Sequence, residues 1–415
     1  MRRRTVVAAA TSVLALAVAC ASTTTSLHPG AGGAPVAGHT ARPTEQKVTP
    51  GGSSAPPVGG MDPDDVGHAG STAADPVWAR VHAMTLADKV RQLMVPSFTG
   101  TSVPTGLIRG LHPGGLIYFS ANLTSQAQAK SLSAAIQRTA DGVGYPLLLM
   151  TDQEGSPVTR IPGTRDTPAG ATFRGNAGWA RHTAERTGRL LSALGVDTDL
   201  APVADVNTAG AGGVIGTRSF GSTPGSVSRL TSAQVCGYHA GGVATTVKHF
   251  PGHGSTDTDS HQRTAVIRES VGRWEATDLP PFAAAVHDDV DMIMVGHLAF
   301  PALDPSGRPA TISPLLNRDL LRGRLGYDGV VITDALDMGG ITSWGTPGEI
   351  AVRAIQAGDD MLLMPPQPSV AVRAVVAAVA SGRISSTALD MHVYRVLDLK
   401  RRLGLLGPPK ALPHC

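Results

Sequence analysis

From residue 93 onward, short apolar runs alternate with longer amphipathic stretches. The runs are four to seven residues long and fall at Leu93–Phe98, Gly115–Phe119, Leu147–Thr151, Thr198–Val203, Ala244–Phe250, Met292–Gly296, Val330–Thr333 and Met361–Met364. Such continuous runs lack the polar-every-second pattern of a half-wet strand, so they read as strands covered on both faces. Between most of them lie segments with helical periodicity: Ser125–Thr139, Trp179–Leu194, Val227–Gly241, Trp274–His287, Pro314–Leu325 and Glu349–Ala357. Eight buried strands alternating with helices predict an α/β fold with a parallel sheet, closed as a single-domain (β/α)8 TIM-like barrel over residues 78–410. The alternative is a doubly wound open sheet. No Gly-x-Gly-x-x-Gly follows the first strand, which counts against a dinucleotide site.

The pattern changes before residue 78. Met1-Arg2-Arg3-Arg4 is followed by an apolar run from Val6 to Ala19 and then by Cys20. A charged start, a short apolar run and small residues are the marks of an export signal, and the run is short for a membrane span. Ala17-Val18-Ala19-Cys20 is similar to a bacterial lipobox, with Leu16 one place earlier than usual. Residues 1–19 are therefore expected to be a lipoprotein signal peptide, with Cys20 the lipidation site and membrane anchor; an ordinary secretory signal is the alternative. Residues 20–77 are rich in Gly, Pro, Ser, Thr and Ala, the composition of a flexible tether. The expected location is the outer face of the cytoplasmic membrane.

Charge narrows the function class. Loss of residues 1–19 removes three arginines and no acid, so Lys plus Arg falls from 35 to 32 against 32 Asp plus Glu. The basic balance of the whole chain thus resides in its leader. There is no basic cluster interleaved with aromatics, so nucleic-acid binding is not expected. Nothing in the composition marks an interface, and a monomer is expected. Two cysteines remain beyond Cys20. Cys236 lies in a helical pattern and reads as a small buried residue, although pairing with Cys415 is open.

The candidate chemistry collects where strands end. Asp152-Gln153-Glu154 follows the third strand, Asp205 and Asn207 the fourth, His297 the sixth and Asp334 the seventh; Lys248 and His249 close the fifth. In a parallel barrel all of these meet at one face. Asp359 and Asp360 precede their strand and read as structural. The densest tract is Val247–His261, fifteen residues with three His, two Asp and a Lys among Gly, Pro, Ser and Thr. Such a loop has little apolar surface to bury, so its composition calls for a functional reason. Asp259 lies two positions before His261. A carboxylate there can fix the imidazole's tautomer and raise the basicity of its other nitrogen, making an acid/base pair. His249 and His253 are four apart, but Pro251 and Gly252 between them break any helix, so no metal and no cofactor are expected.

These residues resemble glycoside hydrolase family 3, and within it the NagZ-type β-N-acetylglucosaminidases of exported actinobacterial lipoproteins. The matching pieces are Asp152-Gln153-Glu154-Gly155 with Val158 and Arg160, Leu200–Asn207, Arg218-Ser219-Phe220-Gly221, the Lys248–His261 tract and Gly329–Leu336. The resemblance implies a retaining hydrolase that removes terminal N-acetylglucosamine from peptidoglycan-derived fragments (muropeptides) during cell-wall turnover. It implies Asp334 as nucleophile, His261 as acid/base and Asp259 as the group orienting it. Asp152, Arg160, Arg218, Lys248 and His249 would bind the sugar. Ser156-Pro157 departs from the family pattern of a second Gly. The proline removes an amide donor and stiffens the loop before Arg160.

The residues read alone agree with this. Retaining hydrolysis needs a nucleophile and a separate proton donor. An imidazole can fill the second role, since its reference pKa near 6.5 lets it give and retake a proton. The 81 residues after Asp334 suffice for the last barrel elements and not for a large further domain, so the donor is expected from the barrel itself. Three other readings stand beside this one: a phosphorylase of the same sugar, a β-glucosidase and a glycan-binding lipoprotein with idle chemistry.

Overall fold

The computed structural model describes residues 75–408 and 412–413. The expected leader, Cys20, nearly all of the tether and Cys415 lie outside these residues. Helix Pro76–Ala83 starts inside the last residues assigned to the tether, with the Asp75 carboxylate accepting from Val77 N–H at 2.8 Å.

All eight expected strands form. They are β1 (Met94–Val95), β2 (Gly115–Tyr118), β3 (Leu148–Thr151), β4 (Thr198–Asp199), β5 (Ala244–Phe250), β7 (Met292–Val295), β9 (Val330–Thr333) and β10 (Leu362–Leu363). Strands β2, β3, β4, β5, β7 and β9 pair side by side, all parallel, into a curled sheet. Strands β1 and β10 form a separate parallel pair. Single parallel bridges tie that pair to both edges of the sheet, Ser97 to Ile117 and Ile332 to Met361.

Alternation along each strand sorts its side chains between two layers. Leu148 and Met150 face inward with Met292, Met294, Val330 and Ile332. Leu147 and Leu149 face outward against Ile136 and Leu191 of helices Gln126–Asp141 and Ala177–Ala193. Ile293 and Val295 likewise meet Trp274 and Phe282 on the outer side. Burial on both faces explains the unbroken apolar runs.

Departures from the expected pattern have local causes. Strand β4 is two residues long rather than six: the carbonyls of Ala201 and Pro202 still accept from Thr246 and Lys248, but Pro202 has no amide to donate, and Val203 meets Lys248 only as a separate bridge. The expected helix Trp274–His287 divides at Asp278, since Pro280 and Pro281 fit only the first turn of a new helix. Leu315–Arg324 winds as a π-helix. A second small parallel pair, β6 (Ala265–Val266) with β8 (Leu298–Ala299), follows the His-rich loop and was not evident from periodicity. Cys236 is half-buried and disulfide-bonded, not a free packing residue; its partner lies outside the described residues.

Asp359 and Asp360 are both fully buried away from the strand ends that carry the candidate chemistry. Asp360 accepts from Arg322 at 2.5 Å, His392 Nδ1 at 2.7 Å, Arg395 at 3.3 Å and Val331 N–H at 2.7 Å. Burial alone would raise its pKa, but the two guanidinium groups and His392 hold it well below the usual carboxylate range. Replacing Asp360 by Asn strands two buried cations, and the expected cost is about 3–5 kcal/mol, readable by chemical denaturation. Because the folded pKa is depressed, this contribution is present above the unfolded value near 3.9 and is lost as pH falls below it. An Asp360→Asn protein as stable as the parent at pH 7 would contradict this.

Candidate active site

Parallel strands place their carboxyl ends together, and there a cavity of about 340 Å³ opens. Its wall includes Asp152, Arg160, Arg218, Lys248, His249, Asp259, His261 and Asp334. All eight residues expected to catalyse or to hold sugar therefore share one cavity, although they come from positions 152 to 334. Asp152 and Asp334 are the first residues beyond β3 and β9, and Lys248 and His249 are near the end of β5. The β5–β7 register shifts between Lys248 and Phe250, an irregularity of the kind that re-aims side chains at strand ends.

One side of the cavity is a charge cluster. Lys248 Nζ lies 2.7 Å from both Asp152 Oδ1 and Glu154 Oε1. Arg218 meets Glu154 in a two-pronged pair at 2.7 and 2.8 Å. Burial opposes the charge on Glu154, yet Lys248 and Arg218 hold its carboxyl well below the ordinary range. Desolvation likewise opposes charge on Lys248, but the two carboxylates raise its pKa. Glu154, Arg218 and Lys248 are thus ionised at neutral pH. Glu154 stands in the strand-end run after the third strand without a role of its own in the sequence reading; the structure makes it the clamp that positions Arg218 and Lys248. The signal was its place one residue beyond Gln153 in the same strand-end motif.

Arg160 reaches the cavity despite Pro157. Its amide donates to Gln153 Oε1 at 2.8 Å, its guanidinium lies 5.4 Å from the Phe119 ring centre, and its buried Nε has no partner among the described residues. A buried, unsatisfied donor in a cavity wall is suited to a polar ligand.

Asp205 organises the floor. It accepts from His249 Nδ1 at 2.7 Å, from the His249 amide at 3.2 Å and from the His253 amide at 2.7 Å. Burial would raise its pKa, but His249 and the other donors bring it below the usual value. The ionised carboxylate fixes Nδ1–H on His249 and leaves Nε2 for other contacts. Burial pushes His253 down to about 4, so it is neutral, and its Nε2 meets Ser260 Oγ at 3.0 Å. His253 is thereby a strut for the His-rich loop, a role that composition did not distinguish from that of its neighbours.

Asp334 accepts from the Ala335 amide at 2.8 Å. Desolvation acts against its charge, but His249, His297 and Lys248 bring its pKa below the reference value. It is a carboxylate throughout the neutral range, as a nucleophile must be. Across the opening, Asp259 Oδ1 accepts from His261 Nδ1 at 2.8 Å and from its amide at 2.9 Å. Among the described residues nothing bonds His261 Nε2, on a side chain 70% exposed, so the ring can meet an incoming group. The loop's end is tied to the segment after Asp334: Gly339 N–H donates to His261 O at 2.8 Å and Gly340 N–H to Ser260 O at 2.9 Å.

The chain matches the model of the glycosyl hydrolase family 3 N-terminal domain over residues 85–399. It is 38% identical over 273 residues to beta-hexosaminidase A of Pseudoalteromonas piscicida, covering 61% of this chain and 46% of that protein. A family 3 beta-N-acetylglucosaminidase structure from a Paenibacillus species superposes with a TM-score of 0.76 at 41% identity, over 79% of this chain and 64% of that one. A beta-N-acetylhexosaminidase structure from Beutenbergia cavernae gives 0.69 at 30% identity, over 76% of this chain and 98% of that one. The chain thus spans about half the length of the first relative and nearly all of the last.

Proposed function

The chain belongs to glycosyl hydrolase family 3, and on that premise we propose that it is an exo-acting, retaining β-N-acetylglucosaminidase. The observation that carries this is one cavity holding an ionised Asp334, a His261 oriented by Asp259, and the cation–carboxylate cluster of Arg218, Lys248, Glu154 and Asp152. The relatives named beta-hexosaminidase and beta-N-acetylglucosaminidase support the choice of sugar. We read the curled sheet with its β1–β10 pair as a (β/α)8 barrel, which explains why groups far apart in sequence converge.

In the first step an Asp334 oxygen attacks the anomeric carbon as the glycosidic C–O bond breaks. Doubly protonated His261 gives its Nε2 proton to the departing oxygen, while its Nδ1–H goes on donating to the Asp259 carboxylate. In the second step His261 takes a proton from water, which displaces Asp334 from the sugar. Two displacements retain the anomeric configuration. Asp152, Lys248, Arg218, Arg160 and His249 would hold the sugar's polar groups; a buried charged cluster of this kind rewards a ligand with many hydroxyls and penalises one that leaves donors unpaired.

The natural substrates in this reading are N-acetylglucosamine-terminated fragments of peptidoglycan, met outside the cytoplasmic membrane during cell-wall turnover. Residues 1–19 would be the export signal, Cys20 the acylated anchor, residues 20–77 the spacer and residues 78–410 the catalytic domain, acting as a monomer. The Arg-rich start and the small residues before Cys20 support this placement.

The test is turnover of a chromogenic β-N-acetylglucosaminide beside the matching β-glucoside. The expected preference is at least about 100-fold for the former, because buried polar groups matched to an acetamide are left unpaired by a hydroxyl. Equal turnover, or release of sugar-1-phosphate in phosphate buffer instead of free sugar, would overturn the assignment.

A further inference from the structure

Most acids in the cavity wall are engaged. Asp152 is bound to Lys248, Glu154 to Lys248 and Arg218, Asp259 to His261, and Asp334 accepts from Ala335 N–H. Asp337 is different. It lies three residues beyond Asp334, lines the same cavity and is exposed. Among the described residues, no other side chain or amide forms a hydrogen bond or ion pair with its carboxylate.

Its position says which part of a substrate it meets. Asp337 immediately precedes Met338, Gly339 and Gly340, and the two glycine amides hold the backbone of His261 and Ser260. The titratable groups whose fields reach it are Asp334, His261 and His297. The glycone cluster is built instead on residues from β3, β5 and the segment at Arg218. A proton donor must stand beside the leaving oxygen, so a group next to the His261 loop borders the leaving group. Beside it in the chain, the buried Met338 and the half-buried Ala335 also line the cavity.

A carboxylate can only accept, and it repels a like charge. We infer that Asp337 is a specificity-determining residue of the leaving-group subsite, accepting from a hydroxyl, amide or ammonium group on the unit next to the scissile bond and disfavouring an aglycone that carries a carboxylate there. A muramoyl unit whose lactyl carboxyl is closed in an amide satisfies this condition, and one with that carboxyl free does not. The inference rests on the N-acetylglucosaminidase reading and sharpens it.

The experiment uses three disaccharides with β-linked N-acetylglucosamine on glucosamine, on N-acetylglucosamine or on peptide-free N-acetylmuramic acid, with an uncharged aryl glycoside as reference. kcat/KM is measured for the parent protein, Asp337→Asn and Asp337→Lys. The parent should favour the amine over the acid. Asp337→Asn should shrink that ratio about three- to fivefold, and Asp337→Lys should shrink it further or invert it; both changes should weaken at high salt. A ratio equal in all three proteins, with aryl turnover retained, would remove Asp337 from specificity. A parent protein inert toward the aryl glycoside and every disaccharide would instead overturn the reading of the site on which the inference rests.

Discussion

Asp334→Ala is expected to lower turnover of any β-N-acetylglucosaminide by about 10⁴-fold or more, since it removes the atom that forms the covalent intermediate. The fold should survive, because the side chain makes one backbone hydrogen bond at the edge of a cavity and fills no apolar core. The loss should be chemically specific. A small anion such as azide can enter the space left by the carboxylate and attack the anomeric carbon directly. One displacement inverts configuration, so an α-glycosyl azide is the expected product. Rescue giving the β-azide, or a loss below tenfold, would show that Asp334 is not the nucleophile.

His261→Ala should cost about 10²–10⁴-fold on a sugar aglycone, whose alkoxide is a poor leaving group. With a strongly acidic phenol the first step needs no proton, so the loss there should be much smaller. The second step still lacks its base, and azide, which needs none, should then give the retained β-azide. Asp259→Ala should resemble His261→Ala, and the double variant should be scarcely worse than either, because the two side chains act as one unit through the 2.8 Å Nδ1 contact. A penalty independent of the leaving group would exclude His261 as the proton donor.

These two residues were legible in the sequence for different reasons. Asp334 follows an apolar run, Val330–Thr333, that contains no residue able to compete for the role. Asp259 and His261 stood out because a loop so poor in apolar residues has no packing reason for its composition. Most of the strands were legible because burial on both faces keeps their runs largely apolar, as in Leu148–Thr151, Met292–Val295 and Val330–Thr333. Glu154, His253 and Asp337 were not, since their roles depend on partners or on the lack of partners, which spacing does not encode. Helices Thr105–Leu111, Pro368–Ala380 and Ser386–Arg402 were not among the segments that periodicity singled out. The middle one is almost uniformly apolar and shows little contrast between its faces. The short β6–β8 pair has no period of its own, being two residues per strand and held by register with its neighbour. The disulfide of Cys236 illustrates the limit of reading a lone thiol in a helical pattern as packing.

The amides of Gly339 and Gly340 give the site a lineage constraint. A side chain at Gly339 would sit 2.3 Å from the Gln262 carbonyl, and one at Gly340 2.6 Å from that of Ser260. The donor loop and the stretch after the nucleophile therefore form a matched lock and keeper. A transplant of residues 251–264 into a related barrel would bring the histidine without the seat that sets its depth. The unit that can be inherited, exchanged or engineered is the pair of segments together, not the loop.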